Sequence, residues 1–365
     1  MNAVRRDARS GLRSLTAWIA AGVLAVGAGA VAGPVCAAPE PGARPVAGGR
    51  LLGLGAICDD CQLQVAARCQ GLLEGPSAAP DGSLYLTSPS AGRVYRVTTD
   101  GTCAAVLDVP PRPGFSPGGT KFHADGRLYG TVIGTTDIFA FDPASRAVSF
   151  VASRWTERDR DAPPQGQGGG YYGFNDLAFD QAGGAYMTDM RGSSALRPAG
   201  RIVYRTADGD IRVVVPASLA LPDGVVLSPD GKTLYFNEWL ANRIVAVPVL
   251  APGVVNLGLA SVFAYLSGGK GPDGMAVDAA GNLYVAHQGA GGEIAVFAPD
   301  GSYYGAIRPA GGGDFSPTNL AFIGKDLYVT EGRPSDGNST GNAVWRIRTK
   351  IGGPKLYRDR SGGRP

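Results

Sequence analysis

Asp81-Gly82-Ser83-Leu84-Tyr85, Asp125-Gly126-Arg127-Leu128-Tyr129, Gly183-Gly184-Ala185-Tyr186, Asp230-Gly231-Lys232-Thr233-Leu234-Tyr235, Gly281-Asn282-Leu283-Tyr284 and Gly324-Lys325-Asp326-Leu327-Tyr328 are six copies of one signal. In each, a turn containing glycine leads through an apolar residue to tyrosine. Successive tyrosines lie 44, 57, 49, 49 and 44 residues apart. A period of about 49 residues belongs to propeller blades. The fifth copy shows the unit most plainly. Gly274–Asp278 and Leu283–His287 read as strands around the Ala279–Asn282 turn. Ile294–Phe297 and Tyr303–Ile307 follow, joined by an Asp300-Gly301 hairpin turn. No segment carries the helical period of about 3.6. Four antiparallel strands in each of six units predict an all-β, six-bladed β-propeller.

The sixth unit has three strands, Leu320–Ile323, Leu327–Thr330 and Val344–Ile347, and lacks the fourth. Before the first unit lies an orphan apolar segment, Leu63–Cys69. This segment is expected to supply the missing strand and close the ring, which leaves no broad free edge.

Composition agrees. Of 365 residues, 56 are glycine, as a turn-rich β fold requires, and 44% are apolar, enough for a core. The formal charge is +3, and residues 1–37 alone carry four Arg against Asp7. The rest is near neutral, with no basic run, so a nucleic-acid partner is excluded. With only His123 and His287, a three-imidazole metal site is impossible.

Arg5, Arg6, Arg9 and Arg13 precede the apolar stretch Leu15–Val35, which ends in the small residues of Cys36-Ala37-Ala38. This is the layout of a secretory signal peptide cleaved near Ala37, which predicts a periplasmic or secreted protein without a membrane segment in its mature form. The expected organisation is a signal peptide at 1–37, a linker at 38–50, the propeller at 51–350 and a flexible tail at 351–365. Cys58, Cys61, Cys69 and Cys103 remain, an even number that suggests disulfides, with three pairings open. A redox role for Cys58-Asp59-Asp60-Cys61 is disfavoured, because two aspartates oppose a thiolate.

The innermost strand of a blade comes first, so its start faces one end of the central channel. The six starts are Glu74-Gly75, Gly118-Gly119, Asn175-Asp176, Asp223-Gly224, Asp273-Gly274 and Thr318-Asn319. Four first positions, Glu74, Asn175, Asp223 and Asp273, carry oxygen donors. Three carboxylates in one ring repel unless a cation balances them. Oxygen donors alone select a hard ion: calcium first, magnesium or manganese as alternatives, and zinc a distant one. The second strands end at the same end of the channel and bring Asp189, Glu238, His287 and Glu331 near it. Of these, Asp189, Glu238 and His287 are candidate substrate contacts, with His287 able to relay a proton. His123 lies at the other end of its strand and is assigned no chemistry.

Leu73-Glu74-Gly75, Asn175-Asp176-Leu177, Pro222-Asp223-Gly224 and Gly271-Pro272-Asp273-Gly274 resemble motifs of the senescence-marker-protein/gluconolactonase/luciferin-regenerating family. Phe179–Gly184 and Thr188-Asp189-Met190-Arg191-Gly192 are similar to its bacterial drug-responsive lactonase branch. The resemblance spans residues 60–348. It implies a calcium-dependent lactonase in which Glu74, Asn175, Asp223 and Asp273 bind the metal. Asp273 would also serve as general base or proton donor, and Asp176 would lie beside the substrate. The chain departs from the family at Asp223, where Asn is usual, and at Gly274, where the lactonase branch has a hydroxyl residue. The branch's second, structural calcium has no carboxylate to use in Gln165–Gly173. The expected partner is a small-molecule lactone, and the expected state is a monomer. The alternatives are a non-enzymatic propeller that binds carbohydrate or protein, and a metal-dependent phosphotriesterase or lyase on the same site. The polar insertion Arg154–Gly173 reads as a surface loop or a lid over the channel.

Overall fold

The computed structural model describes residues 51–108, 110–155, 172–268, 270–289, 291–310, 315–333 and 342–355. Its strands form six antiparallel sheets in chain order, one per repeat. The innermost strands are Glu74–Ala78, Pro117–Phe122, Phe174–Phe179, Pro222–Leu227, Pro272–Val277 and Pro317–Ile323, and consecutive ones pack against each other around the ring. We number the blades 1 to 6 in that order. Blade 3 gains the two-residue strand Arg154–Trp155, which runs parallel to Asp210–Ile211. The rest of the expected loop or lid, 156–171, lies outside the described residues, as do the expected signal peptide at 1–37 and linker at 38–50. Among the described residues no helix is long and apolar enough to cross a membrane.

The ring closes as the sequence predicts. Gln64–Cys69 pairs antiparallel with Asn342–Arg348 and becomes the outer strand of blade 6. Cys69 is bonded to Cys103, the first residue of blade 1's outer strand, so a disulfide ties the closing strand to the next blade. Cys58 pairs with Cys61. These two bonds resolve the choice among three pairings.

The repeated tyrosines have a packing role. Tyr85 of blade 1 meets Phe122 of blade 2 edge-on at 5.2 Å, and Tyr284 of blade 5 meets Phe322 of blade 6 in the same way at 5.2 Å. Tyr129 of blade 2 stands on Phe179 of blade 3 at 5.8 Å. Each ring therefore buries itself against the innermost strand of the following blade, where edge-to-face aromatic contact is favourable. The apolar clusters lie between blades, as in the group of Tyr85, Phe122, Leu128, Phe139 and Phe141. The glycine turns before the tyrosines sit at positive φ, for example Gly82 at 81° and Gly126 at 85°, a conformation that costs glycine little.

Candidate metal centre at one end of the channel

A second repeated position lies two residues beyond each tyrosine: Thr87, Thr131, Thr188, Asn237, Ala286 and Thr330. These side chains fasten the channel. Thr87 Oγ1 donates to Gly118 O at 2.8 Å, Thr131 Oγ1 to Asn175 O at 2.5 Å, and Thr188 Oγ1 to Asp223 O at 2.6 Å. Asn237 Nδ2 donates to Asp273 O. At ring closure Thr318 Oγ1 donates to Leu73 O at 2.6 Å. Each blade thus holds the main chain of the next blade at or beside its first-strand start. The step from blade 5 to blade 6 is the exception, because Ala286 has no donor. The Tyr-x-Thr pattern carries this signal in the sequence, and reading the tyrosines alone overlooks it.

On this frame sit the predicted residues. Glu74, Asp223 and Asp273 are buried, each under one-tenth exposed. Burial drives all three carboxyls above their usual range, and the charge of neighbouring acids adds to it. Glu74 is pushed from 4.5 to about 8, by burial first and then by the charge of Asp223. Asp223 is pushed from 3.8 to about 7, by burial first and then by Asp176. Asp273 rises well above 3.8 through burial, then through Asp223 and Glu74, and it hydrogen-bonds Asp223. Blades 1 and 4 stand opposite each other in a six-membered ring. The coupling of Glu74 to Asp223 therefore acts across the channel.

The amide hydrogens that reach these acids are few. Gly75 N donates to Glu74 Oε2 at 3.0 Å and Gln288 Nε2 to Asp273 Oδ2 at 2.7 Å. Asn175 is half-buried, and its amide nitrogen faces Met190 Sδ at 3.6 Å, leaving its oxygen as the donor a cation would use. Asp176 is fully buried one position deeper. Its oxygens accept from Leu177 N at 2.9 Å and Val225 N at 3.4 Å, and Lys121 Nζ lies 3.6 Å away. Glycine elsewhere at this depth is a packing requirement. A Cβ on Gly119 would strike Asp176, and one on Gly274 would strike Asn319.

The residues at the ends of the second strands are buried and engaged within their own blades. Asp189 pairs with Arg201 at 2.8 Å, and Glu238 pairs with Arg243 at 2.6 Å. Glu238 also accepts from Ala220 N at 2.8 Å, and Glu331 accepts from Ala343 N at 3.2 Å. His287 Nδ1 meets Glu293 Oε1 at 3.0 Å, with Arg308 on the same carboxylate. Its other nitrogen, Nε2, is buried without a hydrogen-bond partner. His123 instead contacts Asp125 in a turn.

Among the described residues, no three of His, Cys, Asp or Glu stand close enough together to chelate an ion by themselves. The donor chemistry nevertheless suits a hard cation. Burial and the charge of neighbouring acids, Asp223 and Asp176 for Glu74 and Asp176 for Asp223, hold these carboxyls above their usual range. Buried like charges of this kind are what a divalent ion relieves.

Residues 72–333 match the SMP-30/gluconolactonase/LRE-like region. The chain belongs to this family. One relative, the lactonase drp35 of Staphylococcus saprophyticus, is 31% identical over 299 residues, covering 79% of this chain and 86% of its own. Solved structures of the SMP-30/gluconolactonase fold include a gluconolactonase from Xanthomonas campestris, with a TM-score of 0.64 at 22% identity, covering 85% of this chain and 99% of that one. A calcium-binding regucalcin from Agrobacterium tumefaciens gives 0.62 at 22% identity, covering 80% and 96%. These two likenesses establish the shared propeller.

Proposed function

We propose that this protein is a divalent-cation-dependent lactonase that opens a sugar or other small-molecule lactone, with calcium as its cation. The observation that carries the reading is the placement of Glu74, Asp223 and Asp273, three buried carboxyls from the innermost strands of three blades at one end of the channel, with Asp273 hydrogen-bonded to Asp223. The family relationship and the lactonase relative support the same reaction. Glu74, Asn175, Asp223 and Asp273 would hold the ion. When bound, it would polarise the lactone carbonyl and stabilise the oxyanion.

The chain's own residues do the rest. Asp273 takes a proton from the attacking water as the new C–O bond forms. It returns the proton to the ring oxygen as the old C–O bond breaks, leaving a hydroxy acid. Gln288 fixes which Asp273 oxygen is engaged in this transfer. His287, held by Glu293, presents Nε2 as a substrate contact. Asp176 is locked beneath the ring by backbone amides and shapes its floor. Asp189 and Glu238 hold the rim through their arginine pairs. The extra charge of Asp223, where Asn is usual in the family, would tighten ion binding and temper the ion's Lewis acidity.

Hydrolysis of a lactone panel, followed by pH-stat before and after EDTA and again after Ca²⁺, tests the proposal. An aryl phosphotriester in the same assay separates the esterase rival. Absence of turnover on every lactone would favour a binding propeller, because fold alone does not decide function. We also propose export through the leader, which is checked by the N-terminal sequence of protein recovered outside the cytoplasm.

A further inference from the structure

The outer edges of five blades are covered, tied or charged, which keeps sheet edges from pairing with other chains. Leu51 bridges to Tyr303, and Leu52 N donates to Tyr303 O at 2.8 Å, on the outer strand of blade 5, Tyr303–Ile307. Arg154–Trp155 covers the start of blade 3's outer strand, Asp210–Leu219. The outer strands of blades 6 and 1 are tied by the Cys69–Cys103 bond, with Arg68 in one and Asp108 after the other. Blade 2's outer strand, Val148–Val151, runs between Arg146 and Arg154, and Arg112 lies over its Phe150 at 4.0 Å.

Blade 4 is the exception. Its outer strand, Ser261–Tyr265, pairs inward with Arg243–Ala246. Among the described residues no strand or bridge lies on its outer side. No charged residue stands between Arg243 and Lys270, although 18% of the chain is charged. Six of the thirteen large apolar side chains exposed among the described residues fall on this border: Leu250, Val254, Leu257, Leu259, Val262 and Tyr265. Leu250 is 65% exposed and Leu259 66%. The short strand Val254–Val255 lines the same third strand, and the turn Leu257–Leu259 leads from it into Ser261. Single apolar residues are ordinary on a surface, whereas a contiguous patch marks an interface.

Charge and symmetry say what covers it. Interfaces with transient partners are about as polar as ordinary surface, while those between like subunits are more apolar. Under a two-fold axis residues near the axis approach their own copies, so a charge there would face a like charge. An uncharged edge avoids that repulsion, and antiparallel pairing matches a strand to itself. We infer that two copies of this protein form a two-fold dimer through the outer edge of blade 4. The Ser261–Tyr265 strands of the two copies pair antiparallel, and the flanking leucines are buried between them. This dimer takes the place of the monomer expected from the sequence. The interface uses the strand farthest from the channel and is independent of the lactonase reading.

Light scattering coupled to size exclusion, at micromolar concentration of chain, tests it. The samples are wild type, Val262→Lys, Val262→Glu and an equimolar mixture of the two variants. Circular dichroism establishes that each is folded. The expected wild-type mass is twice that of the chain. Each variant alone should self-associate at least about tenfold more weakly, because it brings like charges together across the axis. The mixture should recover the dimer, as only contact between copies allows. A monomeric wild type, dimers unchanged in both single variants, or a mixture as monomeric as its parts would each overturn the inference. So would a monomeric wild type that floats with phosphatidylcholine vesicles, which would assign the edge to a membrane surface. If the variants do not fold, hydrogen exchange of wild type decides. The Ser261–Tyr265 amides should lose protection on dilution to monomer, and protection independent of concentration would overturn the inference.

Discussion

Gln288 Nε2 lies 2.7 Å from Asp273 Oδ2. This contact ties the loop after blade 5's second strand to the carboxylate assigned the proton transfer. It also engages one of the two oxygens of Asp273.

Gln288→Ala is therefore expected to lower kcat more than it raises KM, by about tenfold, since a misdirected acid–base group loses part of its contribution of about 10²–10⁴. Steady-state kinetics on any accepted lactone provide the check. A change confined to KM would assign Gln288 to substrate binding instead.

Asp273→Asn removes the proton acceptor and one charged ligand while preserving shape. The expected outcome is a folded protein whose kcat falls by at least about a hundredfold. Near-wild-type turnover would remove Asp273 from the mechanism.

Acidity gives a signed prediction. Glu74 and Asp223 have folded pKa values raised to about 8 and about 7 from 4.5 and 3.8. Between the unfolded and folded values the native state holds protons that the unfolded chain has released. Stability of the metal-free protein therefore falls as pH rises from about 4 to 8. Thermal melts in EDTA should show a Tm that drops across this window, and saturating Ca²⁺ should flatten the slope. A Tm in EDTA that climbs from pH 5 to 8 would contradict the assignment.

The inter-blade fastening predicts stability effects away from the acids. Thr188→Val leaves Asp223 O without its donor and Asp176 N without the Thr188 acceptor, which lies at 3.0 Å. The expected loss is about 1–3 kcal/mol in urea unfolding. Cys103→Ser opens the bond to Cys69, which spans 34 residues, and should cost about 2–4 kcal/mol.

The repeat made the blades and the closing strand legible, because a turn, an apolar residue and tyrosine must recur wherever each blade packs on the next. It also placed Glu74, Asn175, Asp223 and Asp273 in equivalent positions, since register follows from the repeat. The partners of the rim residues were not legible. Arg201 and Arg243 enter from third strands, where cross-strand register decides which acid they meet. The free nitrogen of His287 depends on Glu293 occupying the other one. Gln288 stood out in no motif, because its importance comes from the carboxylate it touches. The disulfide pairing needed the closing strand to be in place before Cys69 could reach Cys103.

The most direct test of the central claim is calorimetric titration of Ca²⁺ into chelator-treated protein, run beside Asp223→Ala. The ring of Glu74, Asn175, Asp223 and Asp273 predicts one ion per chain, weakened at least about tenfold by the loss of a charged ligand. No calcium binding to wild type, or equal binding by the variant, would contradict it.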